Sequence, residues 1–201
     1  MKRLLVLSVL LSTVGLALAA DSIPRECVRY RREFVRNHRM VWGADAPIAT
    51  LAAQMLQESR CNPNARSAYA SGLTQFTPDT ADWVNRLFPD LENGVPTNSV
   101  WAWRAQSHYV KRLKDGAPGA TDCDSMWFAL WGYNGGPGWV QRDRRLAQRA
   151  GADPQRHEAV EPFNAGRAPA MFRENRNYPS VIINRWQPLF VAAGWGEGSC
   201  Q

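Results

Sequence analysis

The chain has 201 residues, of which 45% are apolar and 10% aromatic. This is enough for one globular core and too little for two ordinary domains. The formal net charge is +6, but none of the basic and aromatic motifs of known nucleic-acid-binding modules is present, which argues against a nucleic-acid partner. We expect a single globular domain and a monomer.

Residues 1–20 have the layout of a secretory signal peptide. Lys2 and Arg3 precede an uncharged run that contains the small-residue pattern Ala17-Leu18-Ala19. A membrane-spanning helix needs roughly 17–25 apolar residues, so the run could also be a retained or slowly released anchor. The sequence therefore predicts an exported protein, periplasmic or secreted, and residues 4–20 offer a transient inner-membrane association as the alternative to cleavage.

Residues 21–45 form a basic segment that we predict to be helical. Four arginines recur there at i, i+4, i+7 and i+11, which places them on one face of a helix: Arg25, Arg29, Arg32 and Arg36. Such a face is either simply solvated or attracts the protein to an anionic polymer or membrane surface.

The cysteines and histidines indicate disulfides rather than a metal centre. The four cysteines form an even set without Cys-x-x-Cys spacing, so an exported chain should form two bridges, whose pairing stays open among three possibilities: Cys27, Cys61, Cys123 and Cys200. His38, His108 and His157 are scattered and lack ligand spacing. We predict no metal and no cofactor.

The segment 45–64 predicts a helix with a buried stripe. Asp45 can cap it, Pro47 suits its first turn and Pro63 ends it. The stripe has the i, i+3, i+4, i+7, i+8 spacing: Ile48, Leu51, Ala52, Met55 and Leu56. Glu58 projects from the edge of this stripe, so we expect it to be partly buried.

Glu58 lies in the last predicted turn, where unpaired carbonyl groups create a negative potential. That potential and desolvation both disfavour a carboxylate, so we expect the pKa of Glu58 to be raised. A carboxyl group that stays protonated near neutral pH can protonate the leaving oxygen of a glycosidic bond. Taken alone, a glutamate near a helix end is usually a surface residue.

The rest of the chain predicts a mainly α protein. Clusters of Pro, Gly and Asn near 61–64, 89–98, 115–122 and 150–169 are typical of loops between helices. Trp139 follows a glycine turn and could stack on a sugar. Four other tryptophans have helical spacings that favour the core: Trp101, Trp103, Trp127 and Trp131.

Four motifs occur in order along most of the chain, the first two of them within one stretch. Residues 58–78 read ESRCNPNARSAYASGLTQFTP, residues 126–140 read MWFALWGYNGGPGWV, and residues 174–178 read ENRNY. These resemble the Glu-Ser and Asn-Pro pair, the Gly-Leu-Met-Gln motif, the Ala-Tyr-Asn-x-Gly motif and the final motif of the family-1 lytic transglycosylases, the soluble lytic transglycosylase-like group. The resemblance implies a lysozyme-like catalytic domain over residues 46–201, of the goose-type lysozyme and soluble lytic transglycosylase class.

The resemblance also implies roles for particular residues. Glu58 would be the single catalytic acid and base, acting on peptidoglycan glycan strands and forming 1,6-anhydro-N-acetylmuramic acid. Ser59 and Gln75 would hold the sugar and its acetamido arm, and Tyr133 and Asn134 would position the acid or the ring. From the last motif, the glutamate would contact substrate and the tyrosine would hydrogen-bond the catalytic carboxyl: Glu174 and Tyr178.

Two positions depart from the family pattern. Thr74 replaces the usual methionine, which puts substrate contacts there in doubt, and Gly132 stands where alanine is commoner. No partner carboxylate for a two-acid mechanism is evident, since Asp79 and Asp82 follow Pro78 and are typical of a helix start.

Two alternatives remain. A goose-type muramidase would share the fold and the essential glutamate but add water, and a non-catalytic peptidoglycan-binding part of a secretion or phage apparatus would need no catalytic residue. For the biological setting, the compact size and the leader favour phage-type lysis over a secretion-system wall opener or a housekeeping enzyme.

Overall fold

The computed structural model describes residues 21–200. The predicted leader, including the 4–20 run, lies outside the described residues. Within them the chain is mainly α-helical, as predicted, and its β pairing consists of two isolated bridges, from Arg66 to Ser71 and from Ser71 to Phe76. No helix in this range is long and apolar enough to cross a membrane.

The described residues form ten α-helices, one 3₁₀ turn and one π-helical segment. The 3₁₀ turn is Pro89–Leu91, and the π-helical segment, Val181–Trp186, directly follows the ninth helix. The helices are α1 (Arg25–Val28), α2 (Arg31–Trp42), α3 (Ile48–Ser59), α4 (Pro78–Leu87), α5 (Ser99–Gly116), α6 (Asp122–Gly135), α7 (Pro137–Arg149), α8 (His157–Val160), α9 (Pro169–Ser180) and α10 (Gln187–Ala192).

Helix α3 runs through the centre of the molecule. Every residue from Ile48 to Leu56 is buried, whereas the sequence predicted burial of one stripe only. Small residues on the other faces, such as Ala49 and Ala53, let α2, α10 and the π-helical segment pack around it. The far end of α3, which carries Glu58, is therefore held by the core.

The start of α3 differs from the prediction. The helix begins at Ile48 after Pro47, and no side chain caps it; Asp45 is exposed, so its predicted capping role was wrong. The C-terminal tail supplies the partner instead, because the carbonyl oxygen of Glu197 accepts a hydrogen bond of 3.0 Å from the amide of Ala49. A tertiary contact has replaced the local cap.

Two disulfides join distant parts of the chain, and the prediction of two bridges is confirmed. Cys27 pairs with Cys61, and Cys123 pairs with Cys200. The first ties the N-terminal segment to the turn after α3, and the second ties the C-terminal tail to α6.

The basic N-terminal segment is part of the same core. Its predicted single helix is two, α1 and α2, separated at Arg29 and Tyr30. Cys27 and Phe34 are fully buried, and α2 packs on α5. The side chains on the arginine face remain exposed: Arg25, Arg29, Arg32 and Arg36.

Most of the remaining local predictions agree with the structure. Apart from the last residues of α5 and the first residue of α6 and of α9, the predicted loops contain only the 3₁₀ turn and the short α8. Thr77 caps α4 by accepting a hydrogen bond from the amide of Thr80, and Asp79 and Asp82 are exposed near that helix start, as expected. The four tryptophans predicted for the core are buried: Trp101, Trp103, Trp127 and Trp131.

Candidate active site

Glu58 lies in the last turn of α3, where the chain bends sharply. Arg60 and Cys61 both have left-handed backbone conformations, with φ of 51° and 62°. The amide of Arg60 donates to the carbonyl oxygen of Leu56 at 3.0 Å and closes the helix. Because Cys61 is bonded to Cys27, the turn is anchored, and Glu58 projects from a fixed helix end.

The carboxyl group of Glu58 is half-buried. Its pKa is raised from the ordinary 4.5 to about 7. Desolvation is the main cause and the nearby Glu174 carboxylate adds to it, whereas a hydrogen bond from the Tyr178 hydroxyl to Oε1 acts in the opposite direction. The sequence predicted the upward direction. A group with this pKa is present both as acid and as carboxylate near neutral pH, which suits a general acid that later acts as a base.

Helix α9 brings the residues of the ENRNY motif to this carboxyl group. Tyr178 is buried, with 7% of its surface exposed, and its hydroxyl contacts Glu58. Burial, followed by the charge of Glu58, raises the pKa of Tyr178 well above its ordinary value, so the phenol keeps its hydrogen. Glu174 lies one turn earlier on α9 and is exposed.

The end of α6 supplies the second group of predicted residues. Tyr133 and Asn134 lie within the last turn of this helix, whereas the sequence placed them after it. The hydroxyl of Tyr133 donates to the carbonyl oxygen of Thr74 at 2.7 Å. Burial, with the charge of Glu58 as the next cause, raises the pKa of Tyr133 well above its ordinary value. Asn134 is exposed, and its Oδ1 accepts a hydrogen bond from Asn175 at 3.0 Å.

A buried polar cluster fixes this end of α6. The carboxylate of Asp143 is fully buried and pairs with both Arg167 and Arg176, and both guanidinium groups also donate to Oδ1 of Asn175. A Cβ atom on Gly135 would lie 2.7 Å from Nδ2 of Asn175. Packing against this cluster therefore requires glycine at 135, where the sequence suggested room for a turn and for the sugar.

The loop between α3 and α4 carries Gln75. Its backbone is left-handed, with φ of 49°, and its Nε2 donates to the carbonyl oxygens of Ala65 and Gly72 at 3.2 and 2.9 Å. Gly72 has φ of 81°, and a Cβ there would lie 1.9 Å from the carbonyl oxygen of Pro96. Only glycine fits at this position.

Ser59 and Thr74 point into the protein. Ser59 is 8% exposed, and its hydroxyl donates to the carbonyl oxygen of Leu73 at 2.8 Å. Its hydrogen is therefore used internally, and only its oxygen could receive a substrate group. Thr74 is 1% exposed and donates to the carbonyl oxygen of Ala102 on α5. The Thr74 side chain therefore packs against α5 and has almost no exposed surface.

The predicted residues thus divide into two groups. Tyr178, Tyr133 and Glu174 interact electrostatically with Glu58. Among residues 21–200 the structure shows no hydrogen bond from the remaining three to Glu58, and these lie along the neighbouring loop and helix ends: Ser59, Gln75 and Asn134.

Sequence reasoning missed three buried polar residues behind Glu58, namely Gln54, Gln106 and His38, each of which has no exposed surface. Gln54 donates to the hydroxyl oxygen of Tyr178 at 3.1 Å. A signal was available, because Thr50, Gln54 and Glu58 recur every four residues in a helix whose other residues from Ile48 to Leu56 are all apolar.

Trp139 and an apolar cavity are two further features of the region around α7. The guanidinium of Arg142 sits 3.8 Å from the centre of the Trp139 ring, so a cation already covers one face of the ring that the sequence suggested for sugar stacking. A cavity of about 860 Å³ between α4, α5, α6 and α7 is lined mainly by apolar residues that include Trp83, Tyr109 and Val140. None of the predicted site residues lines it.

The helical fold and the half-buried glutamate at its centre define a lysozyme-like class of protein. Residues 42–156 match the Transglycosylase SLT domain family, and this match covers more than half of the chain, so the chain belongs to that family. The predicted fold class, mainly α and lysozyme-like, is confirmed.

Several bacterial proteins called membrane-bound lytic murein transglycosylase F are similar to this chain. The protein from Shewanella halifaxensis is 38% identical over 56% of this chain and 23% of its own length. The protein from Shewanella pealeana is 40% identical over 52% of this chain and 21% of its own length. The protein from Marinobacter nauticus is 31% identical over 89% of this chain and 38% of its own length. The chain thus spans well under half the length of these relatives.

Proposed function

We propose that this protein is a peptidoglycan lytic transglycosylase in which Glu58 acts first as acid and then as base. The observation that carries the proposal is the raised pKa of Glu58, about 7, at a fixed helix end in a chain of the transglycosylase family. The names of its relatives, which describe lytic action on murein, support the same substrate.

The proposed reaction needs no water. The protonated carboxyl of Glu58 gives its hydrogen to the bridging oxygen between N-acetylmuramic acid and N-acetylglucosamine, and the bond from that oxygen to the muramyl anomeric carbon breaks. The muramyl 6-hydroxyl then bonds to the same carbon and passes its hydrogen to the Glu58 carboxylate. The products are a 1,6-anhydromuramyl end and a free hydroxyl, and the enzyme returns to its starting protonation state.

The other site residues serve this reaction by holding the acid and the sugar. Tyr178 stabilises the carboxylate formed in the first step through its hydrogen bond to Oε1. Tyr133 ties α6 to the loop at Thr74 and sets the width of the site. Because the loop uses Nε2 of Gln75, its Oε1 is the atom that would receive an acetamido N–H. Asn134, Glu174 and the oxygen of Ser59 would contact the substrate.

Hydrolysis is the second candidate, and one electrostatic interaction favours it. The Glu174 carboxylate is close enough to raise the pKa of Glu58, so it could activate a water molecule in a two-carboxylate mechanism. The sequence assigned Glu174 to substrate contact and found no second carboxylate. A non-catalytic peptidoglycan-binding role is the third candidate.

Mass analysis of muropeptides released from purified murein separates the three. We expect 1,6-anhydro products from the wild type and the same products from Glu174→Gln. For Glu58→Gln we expect the rate of cleavage to fall by about a hundredfold or more. Glu92→Gln, an exposed loop residue, is the matched control and should resemble the wild type. If the wild type released only products with reducing ends, and Glu174→Gln released none, the enzyme would be a muramidase. Equal rates of glycan cleavage by Glu58→Gln and the wild type would show that Glu58 has no role in the mechanism.

The proposed site of action is the peptidoglycan layer outside the cytoplasmic membrane. Two disulfides suit an oxidising compartment, and the leader-like residues 1–20 would direct export. Cleavage of that leader and a transient membrane association through residues 4–20 are alternatives within this proposal, and rapid cleavage would count against phage-type lysis. Fractionation of cells that express the full chain, with N-terminal sequencing of the exported form, tests them.

A further inference from the structure

Four hydrogen bonds connect the buried imidazole of His38 to the carboxyl group of Glu58. Nε2 of His38 lies 3.1 Å from Oε1 of Gln106, and Nε2 of Gln106 lies 2.9 Å from Oε1 of Gln54. Nε2 of Gln54 lies 3.1 Å from the hydroxyl oxygen of Tyr178, which contacts Oε1 of Glu58. This chain of five side chains crosses from α2 through α5 and α3 to α9.

The direction of every bond follows from one backbone carbonyl. The carbonyl oxygen of Leu51 can only accept, so the Gln106 atom 3.0 Å from it must be the amide nitrogen. That nitrogen also contacts Gln54, which must present its oxygen and therefore turns its own nitrogen to Tyr178. The phenol hydrogen of Tyr178 is then left for Glu58. All the hydrogens of the chain point toward the carboxyl group.

The ring of His38 faces two acceptors. Since Gln106 turns its oxygen to the ring, the bond between them requires a hydrogen on Nε2. The carbonyl oxygen of Phe34 lies 2.8 Å from Nδ1 and requires a hydrogen there. Burial lowers the pKa of His38 to about 4, so the ring is neutral near pH 7 and its single hydrogen serves one acceptor at a time. The tautomer with the hydrogen on Nε2 completes the chain to Glu58, and the proposal concerns this tautomer.

We propose that His38, Gln106 and Gln54 are positioning residues for Glu58. They hold the hydroxyl hydrogen of Tyr178 on Oε1, which leaves Oε2 as the oxygen that carries the transferable proton. The inference rests on the proposed role of Glu58 as general acid. It adds three residues that do not touch the substrate and that set which carboxyl oxygen reacts.

The chain also affects the charge of Glu58. Hydrogen bonds that polarise one another along one direction stabilise the carboxylate at their end. The other titratable groups that act on Glu58 are Glu174 on α9 and Tyr133 on α6, and neither belongs to the chain. Loss of a donor within the chain should therefore raise the pKa of Glu58 and move the alkaline limb of the rate profile to higher pH.

A pair of substitutions at position 38 tests the proposal. His38→Gln keeps an N–H that can reach Gln106, whereas His38→Met has similar length and no donor. We expect His38→Met to lower kcat about tenfold, in line with small errors in the placement of a catalytic group, with KM little changed. Its alkaline limb should move up by roughly half a pH unit, as expected for the loss of one directional hydrogen bond. His38→Gln should recover most of the rate and the original limb.

Controls separate this role from simple packing. Ser107 lies on the same helix as Gln106, and its buried hydroxyl has no hydrogen-bond partner among residues 21–200. Ser107→Ala should therefore leave kcat and the pH profile unchanged. Gln106→Met and Gln54→Met repeat the test from other helices if a position-38 variant does not fold. Thermal unfolding of each variant checks that it is folded at the assay temperature, so that the rates of folded enzymes are compared.

The rate is counted as total glycan cleavage, whichever product forms. The identity of the product therefore tests the transglycosylase proposal, whereas the cleavage rates test the proposal about the chain of hydrogen bonds. Equal kcat and equal pH limbs for His38→Met and the wild type would overturn it. An equal loss in His38→Met and His38→Gln would also overturn it, because the hydrogen on Nε2 would then have no role.

Discussion

The hydroxyl of Tyr178 donates a hydrogen bond to Glu58, which lies 120 residues earlier in the sequence. It partly offsets the desolvation of the Glu58 carboxyl, whose pKa is nevertheless about 7 against an ordinary 4.5. The folded protein therefore binds a proton that the unfolded chain releases between these two values. This difference links the proposed acid to the stability of the whole domain.

The first prediction concerns the pH dependence of that stability. A carboxyl group whose pKa is raised on folding contributes stability in full below about pH 4.5, and this contribution is lost as the pH rises through about 7. Glu58→Gln does not titrate and keeps an oxygen for Tyr178. We expect it to be about 2–3 kcal/mol more stable than the wild type at pH 8 and nearly equal at pH 4.5. Urea unfolding at both pH values measures this, and the same difference at both would contradict it.

The second prediction concerns the buried carboxylate of Asp143. It pairs with Arg167 and Arg176, both of which are nearly inaccessible to solvent. Asp143→Asn would leave two buried cations without a counter-charge, and we expect a loss of about 3–5 kcal/mol in the free energy of unfolding. Asp82→Asn, which changes an exposed carboxylate, is the control and should change stability by less than about 0.5 kcal/mol. A loss below about 1 kcal/mol for Asp143→Asn would show that the cations find other partners.

Sequence reasoning captured the features that depend on local pattern. The apolar period predicted a helix that ends near Glu58, the loop composition placed most helix boundaries, and the tryptophan spacings identified core residues. These signals are local because helical periodicity and turn residues act over a few positions. The pairing of Cys27 with Cys61 could not be predicted, since it depends on how the fold brings α1 to the turn after α3.

The sequence could not predict which polar residues would be buried. Gln106 and His38 occur in helices with many polar residues, and only the packing of α5 and α2 with α3 places them in a line behind Glu58. Tertiary contacts likewise replaced the local cap expected from Asp45. Thr74 turned inward because its loop follows the left-handed backbone at Gly72 and Gln75.

The third prediction concerns that loop. Gly72→Ala would force a Cβ to within 1.9 Å of the backbone oxygen of Pro96, at a φ of 81°. Neither strain can be relieved by a side-chain rotation, so we expect a loss of more than about 2 kcal/mol in stability. Gly138→Ala, in a helix and with its nearest neighbour 4.0 Å away, should be neutral or stabilising. Thermal unfolding of both variants checks the contrast, and equal melting temperatures would contradict it.

The last prediction separates the roles of the two disulfides. Cross-links limit the unfolded chain more when they close longer loops, and the separations are 34 residues for Cys27–Cys61 and 77 for Cys123–Cys200. Replacement of each pair by alanine should cost about 3–4 and about 4–5 kcal/mol, respectively.

Activity should follow the opposite order, because Cys61 anchors the turn three residues after Glu58, whereas Cys200 lies in the tail near the other end of α3. Glycan cleavage per folded molecule should therefore fall several-fold more for the Cys27–Cys61 variant, although it loses less stability. If the Cys123–Cys200 variant were the less active of the two when both are folded, the anchoring of Glu58 by Cys61 would be excluded as the reason for its fixed geometry.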